Sequence, residues 1–65
     1  MVGDVIDAYE AALRRLPEAH SLALRLTAAG VAPEVVCGYL RVEPEGLDTL
    51  LRIAAEKLYA ELRKD

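Results

Sequence analysis

The 65-residue sequence contains no Phe, Trp, Asn or Gln, and only one Cys, one His and one Met. Without Phe or Trp, a core must be assembled from Leu, Val, Ile and Ala, supplemented by three tyrosines. The lone Cys37 excludes an intramolecular disulfide, and with a single His20 it cannot complete a four-ligand zinc site. No metal or other cofactor is expected. No apolar run approaches the roughly 20 residues that span a bilayer, and the opening MVGDVIDAYE lacks the basic segment of a secretory leader. A reducing, cytoplasmic setting is the default expectation, with no membrane partner. The absence of amide side chains beside abundant Ala, Leu, Arg, Val and Glu matches the codon bias of a GC-rich bacterial genome.

Basic surplus is also missing. Eight Lys and Arg stand against eleven Asp and Glu, so the formal net charge is −3, which gives no general attraction for nucleic acid or anionic membranes. What the chain does have is apolar content: 54% of its residues are hydrophobic. A domain this short buries only about 60% of the surface its unfolded chain exposes. One core of that size supplies only a few kcal/mol, and self-association is a common supplement, so a homodimer is expected.

The spacing of apolar residues predicts four helices and no strands. The first runs from about Asp4, as its cap, to Leu16, with Val5, Ile6, Tyr9, Leu13 and Leu16 recurring at three- and four-residue intervals. Glu10 stands four residues ahead of Arg14 as a favourable surface pair. Pro17 interrupts the ladder and opens a second helix to about Ala29, stopped by Gly30 and carrying Ala19, Leu22, Ala23 and Leu26 inward. A short third helix is predicted over Pro33–Leu40, burying Val36 and Leu40 with help from Val35 or Tyr39. The fourth and longest opens at Pro44 and reaches about Arg63 through Leu47, Leu50, Leu51, Ala54, Leu58 and Leu62. Residues 1–65 thus read as a single small all-α domain.

The third and fourth helices, joined by a short turn with the small Cys37 where they would cross and Val42 and Leu47 closing the wedge, have the pattern of a helix-turn-helix. From Leu16 to Leu58 the run LPEAHSLALRLTAAGVAPEVVCGYLRVEPEGLDTLLRIAAEKL resembles the region-four domain of bacterial sigma factors. Leu16-Pro17-Glu18, Leu22, Leu26, Gly30-Val31, Glu34, Val36, Cys37, Leu40, Val42, Leu47, Leu51, Ala54 and Leu58 fall on that pattern, over about two thirds of the chain. The resemblance implies a four-helix fold containing a helix-turn-helix and a role in transcription, where such domains contact promoter DNA and RNA polymerase.

The departures bear on function. Where the family's recognition helix carries Lys or Arg, this chain has Asp48, Leu50 and Ile53; where the family's turn usually has Gly, it has Arg41. Between Gly30 and Leu50 the acids Glu34, Glu43, Glu45 and Asp48 face the single base Arg41. Phosphate neutralisation supplies most non-specific DNA affinity, and here it is nearly absent. Leu50 and Ile53 extend the apolar surface of the fourth helix beyond one stripe, which predicts a protein interface formed by Leu50 and Ile53 with Glu43, Glu45 and Asp48 as an acidic rim. The partner is then another protein or a second copy. The rival expectation is a DNA-binding regulator whose dimer gathers Arg41, Arg52 and Lys57 into a basic patch.

Catalysis finds no support. The chain has no Gly-rich phosphate loop, nucleophile elbow or Cys-pair motif. His20 and its neighbour Ser21 point about 100° apart on a helix, so they form no base–nucleophile pair. His20 is expected at the solvated surface, Cys37 in the core, and Asp4, Asp7 and Glu10 along a solvated helix edge. Neither an enzymatic activity nor a small-molecule substrate is expected.

Overall fold

The computed structural model describes the backbone of residues 2–64 and the side chains of residues 8–64. Four helices follow in order: α1, Val2–Arg14; α2, Glu18–Ala28; α3, Pro33–Leu40; and α4, Pro44–Leu62. The described residues contain no strand. The expected cap at Asp4 falls within α1, and its side chain, with those of Val5, Ile6 and Asp7, lies outside the described residues.

Helix ends follow from proline and from left-handed residues. α1 stops at Arg14 rather than Leu16, because the residue before Pro17 is pushed out of helical geometry. The chain tightens there, with Arg15 N–H donating to Ala12 and Leu16 N–H to Leu13 at 3.1 and 3.2 Å. Pro17, extended at φ −53° and ψ 149°, then serves as the N-cap of α2. At the far end of α2, Gly30 takes φ +86° and Val31 N–H reaches back to Leu26 C=O at 3.1 Å, a glycine-dependent stop. Pro33 and Pro44 each occupy the first turn of their helix, where the missing N–H deprives no carbonyl of a partner.

Arg41 closes α3. It sits at φ +60°, ψ +47°, the left-handed conformation that a β-carbon disfavours, and Val42 N–H donates across it to Cys37 C=O at 3.0 Å. The resulting turn of residues 41–43 delivers the chain into α4 with Glu43 extended ahead of Pro44. Replacing Arg41 by glycine removes the conformational penalty but also frees the unfolded chain. The net expectation is a gain of about 0.5–1 kcal/mol, read as a rise of a few degrees in Tm by circular dichroism. An unchanged or lowered Tm would show that the arginine side chain stabilises the turn.

α2 and α4 form the largest contact; α1 packs on both, α3 packs on both, and among the described residues α1 and α3 make no contact with each other. The molecule is therefore drawn out, 37 × 19 × 14 Å, with α1 and α3 as separate flanks of the α2–α4 pair. Its core is correspondingly thin. Among the described residues those buried are Ala12, Leu13, Leu16, Ala23, Val36, Leu47 and Ala54, of which Leu13 and Val36 are large and fully enclosed. One cluster joins Ala23 of α2, Val36 of α3 and Leu47 of α4, sheathed by Leu26, Val31, Cys37, Leu40, Val42, Leu50 and Leu51.

Several expectations are corrected here. Ala19 is exposed rather than turned inward, and Tyr9 and Leu62, on the apolar stripes of α1 and α4, are each 39% exposed. Val35 and Tyr39 do not help bury α3; they are 60% and 67% exposed, four residues apart on its outer face. His20 is not a solvated surface residue: it is half-buried, and its Nδ1 is shielded without a hydrogen-bond partner. Cys37 is half-buried, packed on the core cluster while reaching its edge.

Candidate functional site

Polar contacts concentrate at the α1 end. Arg25 of α2 grips Glu10 of α1 through two parallel hydrogen bonds, Nη1 to Oε2 at 2.7 Å and Nη2 to Oε1 at 2.8 Å, while its Nε donates to Ser21 Oγ at 3.3 Å. The bidentate geometry suits a guanidinium and a carboxylate. It holds the Glu10 carboxyl below its ordinary pKa, chiefly through the hydrogen bonds from Arg25 and secondarily through its charge, and raises that of Arg25. The pair expected from sequence, Glu10 with Arg14, exists at 3.9 Å but is the weaker association. Glu61 near the end of α4 lies 3.6 Å from Arg15 and accepts a hydrogen bond from Lys64 at 3.2 Å. The Arg25–Glu10 and Arg15–Glu61 contacts fasten the end of α1 to α2 and α4; none of these contacts encloses a reactive centre.

The α3–α4 end is arranged differently. Glu34, Glu43, Glu45 and Asp48 are all exposed, and among the described residues none of them, nor Arg41, belongs to an ion pair. Between the two helices runs a groove of about 340 Å³, lined by Pro33, Glu34 and Cys37 of α3 and by Pro44, Leu47 and Asp48 of α4. Each helix thus contributes its leading proline, one carboxylate and one core-facing apolar or thiol side chain. The carboxylates stand on different helices, and the rest of the lining is mostly apolar.

The five residues predicted as an interface do not form one patch. Leu50 and Ile53, three apart, share a flank of α4, but Leu50 is half-buried against the core cluster and leaves Ile53, 38% exposed, as the accessible apolar group. Asp48 and Ile53 are five positions apart and so diverge by roughly 140° around the helix axis. Asp48 faces the groove toward α3 and Ile53 lies on the opposite flank. Glu43 caps α4 and Glu45 lies in its first turn, where the helix dipole favours negative charge. Sequence periodicity could place residues on a side of a helix, but it carried no information on which neighbouring helix covers each side. For that reason the shared groove of Glu34, Cys37 and Asp48 is not legible from the sequence.

The rival basic set is also divided. Arg41 lies in the turn, whereas Arg52 and Lys57, again five apart, diverge by roughly 140° on α4. One chain therefore presents no continuous basic ridge from these three. Among the described residues there is no group of three or more His, Cys, Asp or Glu placed to hold a metal ion, and no helix is long and apolar enough to cross a membrane. Comparison with protein-family models, with curated proteins and with solved structures finds no match to this chain.

Proposed function

We propose that the chain is a small helix-turn-helix protein, associated with transcription, that acts by protein–protein contact rather than by reading DNA. In this reading α3 and α4 are the two helices of the motif and residues 41–43 its turn. The observation that carries it is the charge on the presenting face: four exposed carboxylates without ion-pair partners among the described residues, and a single base, Arg41. A duplex approaching α4 would meet Asp48 and Glu45 where phosphate binding requires cations, so the sequence-independent part of DNA affinity is lacking. The transcriptional association rests on the resemblance of Leu16–Leu58 to sigma region four, including a left-handed residue at the position where that family usually has glycine.

Exposed apolar groups support a contact role: Val35, Tyr39, Ile53 and Tyr59 are large hydrophobic side chains left exposed.

The test is a titration of fluorescently labelled duplex DNA at low salt. No salt-sensitive binding is expected. Micromolar affinity that collapses as salt is added would overturn the proposal and establish a phosphate-neutralising surface.

A further inference from the structure

The groove between α3 and α4 combines three properties that together specify an occupant. Its lining is mostly apolar, from Cys37, Leu47, Pro33 and Pro44; each of its two helices adds one acidic residue to the lining, Glu34 and Asp48; and both carboxylates lack an ion-pair partner within the described chain. At about 340 Å³ it lies at the small end of the range for ligand pockets, roughly 300–1,000 Å³, enough for one long side chain and little more. Lysine and arginine match it: a methylene stem that packs on apolar surface and a charged head that remains at the rim. An anionic or purely aliphatic side chain would leave the two carboxylates either opposed by like charge or without a counter-ion.

We propose that this groove receives a Lys or Arg side chain, flanked by apolar residues, from a segment of a partner protein, with Glu34 and Asp48 clasping its charged head from either side. This rests on the protein-contact reading and names the chemistry of the partner. A second copy of the chain is the competing occupant, because Arg41, Arg52, Lys57 and Arg63 are exposed and in no ion pair among the described residues; the dilution arm of the experiment below separates it from a partner protein. Lys57 lies nine residues from Asp48 and hence roughly 180° around α4 from the groove. Docking one copy's Lys57 into another's groove would join different surfaces head to tail and propagate unless the rotation happened to close. Arg14, Arg15, Arg25 and Lys64 are already in ion pairs within the chain.

The experiment uses a labelled amphipathic peptide of Lys, Leu and Ala and its counterpart with every Lys replaced by Glu, read by fluorescence anisotropy. The Lys peptide is expected to bind and the Glu peptide not. Binding should weaken about tenfold in the Glu34→Gln/Asp48→Asn double variant, the scale set by losing charge-assisted hydrogen bonds. It should be retained in Glu18→Gln/Glu56→Gln, which removes the same charge from exposed positions outside the groove. Bound Lys peptide should also slow alkylation of the Cys37 thiol at the groove floor, a readout that diffuse charge attraction would not move.

Equal weakening in both double variants, binding of the Glu peptide, no binding at all, or an unprotected Cys37 would each overturn the groove assignment. Cys37 that becomes more reactive as the protein alone is diluted would replace the partner by a second copy, and would likewise overturn it. These failures are distinct from failure of the protein-contact reading, which only salt-sensitive duplex binding would bring down.

Discussion

Leu47→Ala is expected to leave the fold only marginally stable near room temperature. Leu47 is 3% exposed and is the α4 member of the cluster that also contains Ala23 of α2 and Val36 of α3, so its side chain is where three helices meet. Truncating a buried leucine removes apolar contact and leaves a cavity, at a cost of about 3 kcal/mol in well-packed sites. A single core in a chain this short supplies no more than about 3–5 kcal/mol of net stability, so the loss consumes most of it. Thermal melts followed by far-ultraviolet circular dichroism should show either no cooperative transition or a Tm lowered by more than about 10 °C. A shift of only a few degrees would mean that the cluster is not the keystone of the fold.

The second large effect comes from adding atoms. Ala23→Leu is expected to destabilise by about 1–3 kcal/mol, because Ala23 is fully enclosed and the extra carbons can be housed only by displacing Val36 or Leu47. Leucine and alanine have similar helix propensities, so intrinsic preference contributes little to the difference. Ala19→Leu in the same helix, at an exposed position, provides the comparison and should shift stability by less than about 0.5 kcal/mol. Equal denaturant midpoints for the two variants would show that α2 has room to move away from α3 and α4. Short side chains at Ala12, Ala23 and Ala54 are what permit helices to approach in a protein that has no Phe or Trp to fill wider gaps.

Much of this architecture was legible in the residues. Pro33 and Pro44 mark the starts of α3 and α4, since a proline without N–H is tolerated only in a helix's first turn. Periodicity identified Leu13, Leu16, Ala23, Val36, Leu47 and Ala54 as inward-facing, and all are buried, whereas Ala19, Tyr9 and Leu62 from the same stripes are exposed at their edges or ends. Periodicity misled at Val35 and Tyr39, because an eight-residue helix pressed against neighbours on one side has too few turns to define its buried stripe from sequence. The bidentate clasp of Glu10 by Arg25 was out of reach for a different reason. It spans fifteen positions, and only the folded crossing of α1 and α2 makes those side chains neighbours. The acidic character of the presenting face could be counted directly. That Glu34 and Asp48 line one groove with an otherwise apolar lining required the α3–α4 geometry.

Gly30 and Arg41 bracket α3 with two left-handed residues, leaving a helix of eight residues between them. Helices shorter than about 12–15 residues do not persist alone in water, so α3 exists only while α2 and α4 hold it. One bank of the groove is consequently a product of tertiary structure and vanishes when the chain melts. A ligand seated there discriminates between folded and unfolded molecules, and by mass action raises the population of the former. Recognition at that place doubles as a chaperoning force on a thinly stabilised polypeptide.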